Sequence, residues 1–297
     1  MQFFDSLQFI EIISKGQNYE TLLYRDKKTS INYVIKKIKI DNATDVTLEV
    51  NILKTLSHSN IVRYIESFID DGYFYIVMDY ADSGDLYQLI SQRRHPFTET
   101  EVMYYFVQLL LALKHLHDRQ ILHRDIQTQK IFLNQINAAD GAQRLQVKLG
   151  GFDKAKVTTP GQMEYEQVGT PYNLSPEIIR EKGYNDKADI WSLGYVLYEL
   201  CTLNPVFTGY SLYVIKTKII MEKHSPIDSS KYSQDLSDIV NLMLSKDPEK
   251  RPSVNQLLAL PIIRKWIPRF LSEKMISKEF GYLCEKVVKD NKEDKTL

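Results

Sequence analysis

From Glu99 to His117 the chain reads ETEVMYYFVQLLLALKHLH, with apolar side chains on nearly every face. Such a run predicts a long buried helix, and a helix with so little solvated face must lie inside a layer of other helices. It leads into a polar segment, His123-Arg124-Asp125, followed by Ile126 and a short apolar strand, Ile131-Phe132-Leu133. Upstream the periodicity is different. Leu7 to Ile40 is rich in Ile, Tyr, Val and Phe, punctuated by Gly16 and the polar run Asp26 to Ser30, which predicts a short antiparallel meander. Asp45 to Leu56 sets Val46, Val50, Leu53 and Leu56 at helical spacing, and further strands are expected at Ile61 to Phe68 and Tyr73 to Met78. From Asp85 onward the period is helical, with helices expected near Pro176 to Lys182, Lys187 to Cys201, Tyr210 to Met221, Gln234 to Ser245 and Ser253 to Ala259. The fold class is therefore α+β: five strands and one helix over about residues 1–79, then a mainly helical part over about 82–263. A short extension, 264–297, ends in the charged run Lys286 to Leu297, which is expected to fray.

Charge narrows the function classes. Lysine plus arginine and aspartate plus glutamate both number 38, so the formal net charge is zero and gives no electrostatic reason for a nucleic-acid or anionic-membrane partner. The most apolar run, Val107 to Leu113, stops at Lys114, well short of the roughly 20 residues that span a bilayer. The start, MQFFDSLQFIEII, has no basic region and no small-residue cleavage site, so no signal peptide is expected. Cys201 and Cys284 show no metal-ligand spacing and read as buried or free thiols of a reducing compartment. A soluble, cytoplasmic protein is expected.

Five segments carry a resemblance: YIVMDYADSGDLY, ALKHLHDRQILHRDIQTQKIFL, VGTPYNLSPEII, DIWSLGYVLYELCTL and KDPEKRPSVNQLL. In order and spacing they resemble the protein kinases from Phe9 to about Ile263, and within them the NIMA-related (never-in-mitosis) serine/threonine kinases. The resemblance implies a bilobal protein-kinase fold, with a small five-stranded antiparallel lobe carrying one helix and a mainly helical second lobe. It implies that Lys36, in Tyr33-Val34-Ile35-Lys36, pairs with the ATP phosphates, with Glu49 as its partner, and that Asp125 stands at the catalytic base. Gly16 falls in the loop over the phosphates, and Ile13, Val34, Ala81 and Phe132 fall around the adenine. Glu177 and Arg251 match a buried ion pair of the helical lobe, Asp189 matches the brace of the catalytic loop, and Tyr64, Leu53, Phe152 and His123 match an apolar stack between the lobes.

The departures lie where phosphate and metal are handled. In place of G-x-G-x-x-G-x-V the chain has Ser14, Gly16, Tyr19 and Thr21, so only the middle glycine remains and a phenol stands where close backbone approach is wanted. In place of H-R-D-x-K-x-x-N it has Gln127 for the lysine and Lys130 for the asparagine. D-F-G becomes Gly151-Phe152-Asp153, so glycine stands at the position of the magnesium-binding aspartate. Gly151 has no side-chain oxygen and an ammonium cannot ligate magnesium, so no metal ligand set is assigned. A two-residue slip bringing Asp153 to the metal would misplace Phe152. Lys130 reads as pointing to solvent or pairing with Asp125, or as offering its charge to a phosphate without metal.

Removing one preorganised electrostatic group costs about 10²- to 10³-fold in turnover, and from a usual kinase rate of about 1 to 100 per second two such losses leave on the order of 10⁻² per second or less. The expectation is a catalytically impaired kinase, a pseudokinase, that acts as a protein-interaction scaffold. By resemblance alone the partner class is tubulin or ciliary and cytoskeletal proteins, with location at the cytoskeleton or cilium. The long C-terminal region common in the family is missing from this chain, so self-association through a coiled coil is not expected. Two alternatives stay open: a weak serine/threonine kinase using Lys36, Asp125 and a rearranged metal site, and an ATP-binding switch without phosphoryl transfer. Two further expectations concern loops. Glu166, four before Thr170, stands where this family often carries a phosphorylatable residue and is expected to pair with Arg124. Asn134 to Arg144 is a longer connection than usual and reads as a tolerated surface insertion or a contact surface.

Overall fold

A computed structural model describes residue 4 and residues 6–16, 18–40, 43–137 and 143–271. The expected contacts of Cys284 and the fraying of Lys286 to Leu297 lie outside these residues. Five antiparallel strands open the chain: β1 (Leu7–Lys15), β2 (Tyr19–Asp26), β3 (Asn32–Lys39), β4 (Tyr64–Asp70) and β5 (Tyr73–Asp79), in sheet order β1-β2-β3-β5-β4. One helix, α1 (Ala43–Thr55), interrupts them. Because side chains alternate along a strand, β3 sends Ile35 to one face, into a small cluster with Leu7, Leu22, Tyr75 and Val77. Ile38 goes to the other, joining Val46, Val50 and Leu53 of α1 in the main core.

The second lobe is built on α2 (Leu86–Gln92), α3 (Glu99–His117), α4 (Pro176–Ile179), α5 (Lys187–Thr202), α6 (Leu212–Met221), α7 (Gln234–Met243), α8 (Val254–Leu258) and α9 (Pro261–Arg264). Helix α3 is buried continuously from Val102 to Leu116 apart from Tyr104. Its start is fixed by a capping box, in which the Thr98 hydroxyl accepts from the Glu101 amide and the Glu101 carboxylate accepts from the Thr98 amide. Helix α5 buries Trp191 and Tyr195 beside it. Among the described residues no helix is long and apolar enough to cross a membrane.

The fold is the expected one, with boundaries that tertiary contacts moved. Strand β4 begins at Tyr64 rather than Ile61, because Ile61 and Val62 turn their backbone to the other lobe: the Val62 amide donates to Leu149 and the Leu149 amide to Asn60, at 2.9 and 2.8 Å. The Asn60 side chain completes the junction, donating to Gln108 at 2.9 Å and to the Val147 carbonyl at 3.0 Å. The helix expected from Tyr210 starts at Leu212, where the Ser211 hydroxyl caps it. Of the long connection Asn134 to Arg144, the described residues at both ends belong to a regular hairpin: β7 (Ile131–Asn137) and β8 (Gln143–Leu149) pair as far as Asn137 opposite Gln143.

Candidate functional site

Lys36 stands on the same face of β3 as Ile38, opposite Thr21 of β2 and Ile76 of β5. On α1, Glu49 shares a helix face with Val46, Val50 and Leu53, and burial of that face carries the carboxylate under the sheet. The two meet as a bidentate pair, with Nζ 2.7 Å from Oε2 and 3.0 Å from Oε1. Such a pair is short because both groups are charged and largely shielded from water.

Above Lys36, the loop between β1 and β2 is closed by a hydrogen bond from the Gly16 amide to the Tyr19 carbonyl at 2.8 Å. The Tyr19 ring lies so close to Gly16 that a Cβ there would be 2.3 Å from its Cε1. Tyr19 and Thr21 share one face of β2. Lys36 Nζ is 5.4 Å from the Tyr19 ring centroid.

After α3, the strand β6 (Ile121–Leu122) leads into His123-Arg124-Asp125. Arg124 has a left-handed backbone, φ +64°, which disfavours a residue with a side chain. Asp189 of α5 holds it there, accepting from the His123 amide and the Arg124 amide, each at 2.9 Å. Asp189 also contacts His117 Nε2 at 3.0 Å. Burial disfavours the Asp189 carboxylate, but hydrogen bonding and charge from His117 and the loop outweigh it and lower its pKa. His123 is wholly buried, and burial pushes its pKa down. Its Nδ1 accepts from the Asp125 amide at 3.3 Å, so the ring proton is assigned to Nε2, donating to the Gly150 carbonyl at 3.0 Å. Phe152 packs against it with the rings tilted by 55° and their centroids 5.0 Å apart. Phe152 is buried in the main core with Leu53, and Tyr64 packs on the same cluster.

Asp125 is committed to its neighbours. Its Oδ1 accepts from the Thr170 amide at 3.0 Å, the Thr170 hydroxyl at 2.9 Å and the Gln127 side-chain amide at 3.0 Å. Gln127 also donates to the Thr170 hydroxyl at 2.6 Å. Gln127 is therefore a neutral, buried tie between loop and segment, with no charge to place on an anion.

Gly151 is left-handed, φ +79° and ψ +54°. A Cβ there would lie 2.4 Å from Lys130 Cδ, so the lysine stem occupies the space that a side chain at 151 needs. The Lys130 ammonium reaches Asp153 Oδ1 at 3.4 Å. Burial works against that ammonium, but Asp153 and Asp125 outweigh burial and hold its pKa above the ordinary lysine value. Asp153 in turn loses by burial and gains more from Lys130 and Lys36, so its pKa is lowered. The expected pairing of Lys130 with Asp125 is thus corrected to a contact with Asp153, Asp125 acting at longer range. Asp153 sits in a short turn, Phe152–Lys154, and Phe152 remains in the core, so no slip carries the carboxylate to position 151. The residues present do not fit magnesium: of the two positions that the family resemblance gives to its ligands, one has no side-chain oxygen and the other is an ammonium.

The residues implied for the adenine lie on separate elements. Ile13 is on β1 and 46 % exposed, Val34 is on β3, Ala81 follows β5 and Phe132 is on β7, the last three half-buried. Farther out, Arg124 Nη1 donates to Glu166 Oε2 at 3.0 Å and Nε to the Lys154 carbonyl at 2.5 Å. Tyr184 joins this group, its hydroxyl donating to the Glu166 carbonyl at 2.9 Å and accepting from Arg124 at 3.3 Å. Glu164 pairs with Lys156 at 2.5 Å, and its backbone bridges to Tyr184. Tyr184, Glu164 and Lys156 were not singled out from the sequence. Their contacts join positions 8 to 60 residues apart that show no common local pattern.

A protein kinase domain model matches residues 7–263. The mouse serine/threonine-protein kinase Nek1 is 42 % identical over 278 residues, covering 91 % of this chain and 22 % of its own length. Human serine/threonine-protein kinase Nek5 is 39 % identical over 287 residues, covering 94 % of this chain and 39 % of its own. The probable serine/threonine-protein kinase nek3 of Dictyostelium discoideum is 40 % identical over 273 residues, covering 89 % and 24 %. The chain spans less than half the length of each of these relatives.

Proposed function

Since the chain belongs to the protein kinase domain family, with NIMA-related serine/threonine kinases as its relatives, we propose that it is a catalytically impaired member that works by binding other proteins. The observation that carries this reading is the pair Gly151 and Lys130, which puts a bare backbone and an ammonium where two oxygen donors for magnesium belong. Gln127 adds to it, because a neutral amide stands in the place of a phosphate-binding lysine. Asp125 keeps its carboxylate, but a base that takes a proton from an acceptor hydroxyl helps only where a phosphoryl group is positioned and neutralised beside that hydroxyl.

What is retained supports a role in shape. Arg251 and Glu177 form a buried bidentate ion pair, with two hydrogen bonds of 2.6 and 2.7 Å, and the Arg124–Glu166 contact ties the segment before Thr170 to the catalytic loop without a phosphate. The helical lobe exposes Tyr210, Tyr213 and Met221, residue types favoured in protein interfaces. The cytoskeletal or ciliary nature of the partner rests on family resemblance alone.

A second reading, a weak serine/threonine kinase, draws on the intact Lys36–Glu49 pair. Phosphate incorporation into a generic acceptor protein, measured with magnesium and with manganese and controlled by Asp125→Asn, separates the two. Turnover no higher than in the control is expected; robust turnover abolished by that change would overturn the impaired reading.

A further inference from the structure

Strand β8 runs beside α3, and the gap between them is closed at one end only. Where Leu133 faces Val147, both residues turn their backbone groups away from the hairpin: the Leu133 amide donates to the Gly84 carbonyl at 2.9 Å, and the Val147 amide to Gln108 Oε1 of α3 at 3.0 Å. In an antiparallel ladder every second pair repeats that direction. Leu145, opposite Gln135, and Gln143, opposite Asn137, therefore point their N–H and C=O groups outward on the α3 side. Gln108 claims this edge at Val147, but among the described residues no group claims it at Leu145 or Gln143. In the gap lies a cavity of about 570 Å³, lined in part by Tyr104, Tyr105, Arg144, Leu145, Trp266 and Arg269. Its aromatic wall is braced, with Tyr104 edge-on to Tyr105 and to Phe270 at centroid distances of 5.5 and 5.2 Å. Glu101, also on the wall, has its charge answered: Arg93 donates to its two oxygens at 3.0 and 3.2 Å. Arg269 is exposed, lies 4.2 Å from the Trp266 ring centroid and meets no carboxylate among the described residues.

We propose that this face binds an extended, acidic peptide segment of another protein, which adds to the open edge of β8 as a third strand. One aromatic or large apolar side chain of that segment fills the cavity, and one of its carboxylates meets Arg269. This rests on the reading that the chain works by binding other proteins, and it deepens that reading by giving the surface and the chemistry of the partner. Each part of the site selects one property. Unpaired N–H and C=O groups along a strand edge accept an extended backbone and no other. A cavity of this size, walled by tyrosine and tryptophan, takes a bulky apolar side chain. A guanidinium without a counterion favours a carboxylate, which it can grip with two N–H groups. Charge does not single out the chain's own tail as the occupant, because residues 272–297 hold six lysines and six acidic residues.

The test is selection of a displayed library of random decapeptides on the whole chain, followed by fluorescence anisotropy with the enriched peptides made synthetically. Enriched sequences are expected to combine Asp or Glu with an aromatic or large apolar residue and to lack proline. Arg269→Glu changes an exposed side chain and should weaken their binding roughly ten- to a hundred-fold, the size of one lost charged hydrogen bond. N-methylation moved along the peptide one residue at a time should weaken binding at alternate positions, because only every second N–H of an added strand faces β8. That scan uses the native chain, so it stands even if a variant fails to fold. Absence of enrichment overturns the inference, and so does a scan without alternation or poly-glutamate of equal length binding as tightly. Peptides that bind Arg269→Glu undiminished also overturn it, while leaving the protein-binding reading to another face. Two other occupants would show themselves and overturn it as well. A gain of an order of magnitude in affinity on Phe280→Glu would give the cavity to the chain's own tail, and dissociation of a dimer by the peptide would give it to a second copy. Phosphate incorporation reads the cleft and not this face, so the impaired reading and this inference fail separately.

Discussion

The stem of Lys130 lies across Gly151, close enough that a Cβ on residue 151 would sit 2.4 Å from Lys130 Cδ. The two departures from the usual metal site are therefore one event in space: the lysine is accommodated because its neighbour has no side chain. Coupling of this kind is measurable. Gly151→Ala should destabilise the chain by about 1 to 3 kcal/mol, from the left-handed backbone and the displaced lysine together. In a Lys130→Asn background the backbone cost stays and the steric cost goes, so the same change should cost about 1 kcal/mol less. Urea unfolding of the four proteins gives the cycle, and equal costs in both backgrounds would show that the contact carries no energy.

Arg251 and Glu177 are buried together, with Arg251 also donating to the carbonyls of Lys187 at 2.8 Å and Ser245 at 2.9 Å. Arg251→Ala leaves a carboxylate in the core without its counterion and should cost about 3 to 5 kcal/mol. Replacing both residues by methionine should recover part of that loss. Chemical denaturation reads both, and a double variant as unstable as Arg251→Ala would argue against the stranded charge as the cause.

Glu166 is 60 % exposed, so its pair with Arg124 contributes no more than about 1 kcal/mol to global stability. Its effect should be local. Glu166→Lys should speed proteolytic cleavage between Gly151 and Glu177 while the melting temperature barely moves. Unchanged cleavage kinetics in that segment would remove Glu166 from any ordering role.

Glu199 on α5 gives a pH signature. Burial pushes its carboxyl up to about 7, with a hydrogen bond from Thr128 offsetting part of the rise, and its Oε2 has no protein partner. Because the folded value lies above the unfolded one of about 4.3, the native state holds a proton that the unfolded chain has released. Stability from this group is therefore full below about pH 4.3 and is lost as pH rises towards 7, by an amount of order 3 kcal/mol. Glu199→Gln should remove that slope, so the stability gap between variant and native chain should widen between pH 5 and 7.5. A constant gap would place the carboxyl at an ordinary value.

The order of strands and helices was legible from periodicity because each pattern reports which face is buried, and that holds along a single element. The buried helix Glu99–His117 and the helix carrying Glu49 were read in this way. Boundaries failed where backbone groups were claimed from a distance, as at Ile61 and Val62, which bond to the Leu149 region rather than extending β4. Within the site, Lys36, Glu49 and Asp125 could be named from the family resemblance, whereas Thr170 and Gln127 as joint donors to Asp125, and Tyr184 as a partner of Arg124, could not.

What the sequence determined by itself is chemical identity: residue 151 has no side-chain oxygen to give, residue 130 is a cation, residue 127 is neutral, and no packing changes those facts. What only the tertiary structure decided is direction and distance. Lys130 turns over Gly151 to Asp153, and Tyr19 faces Lys36, because the lobes dock through Asn60, Val62 and Leu149 and bring together side chains that lie far apart along the chain. Charge is a property of a residue, but its effect falls with separation, and separation is fixed only when the core has formed.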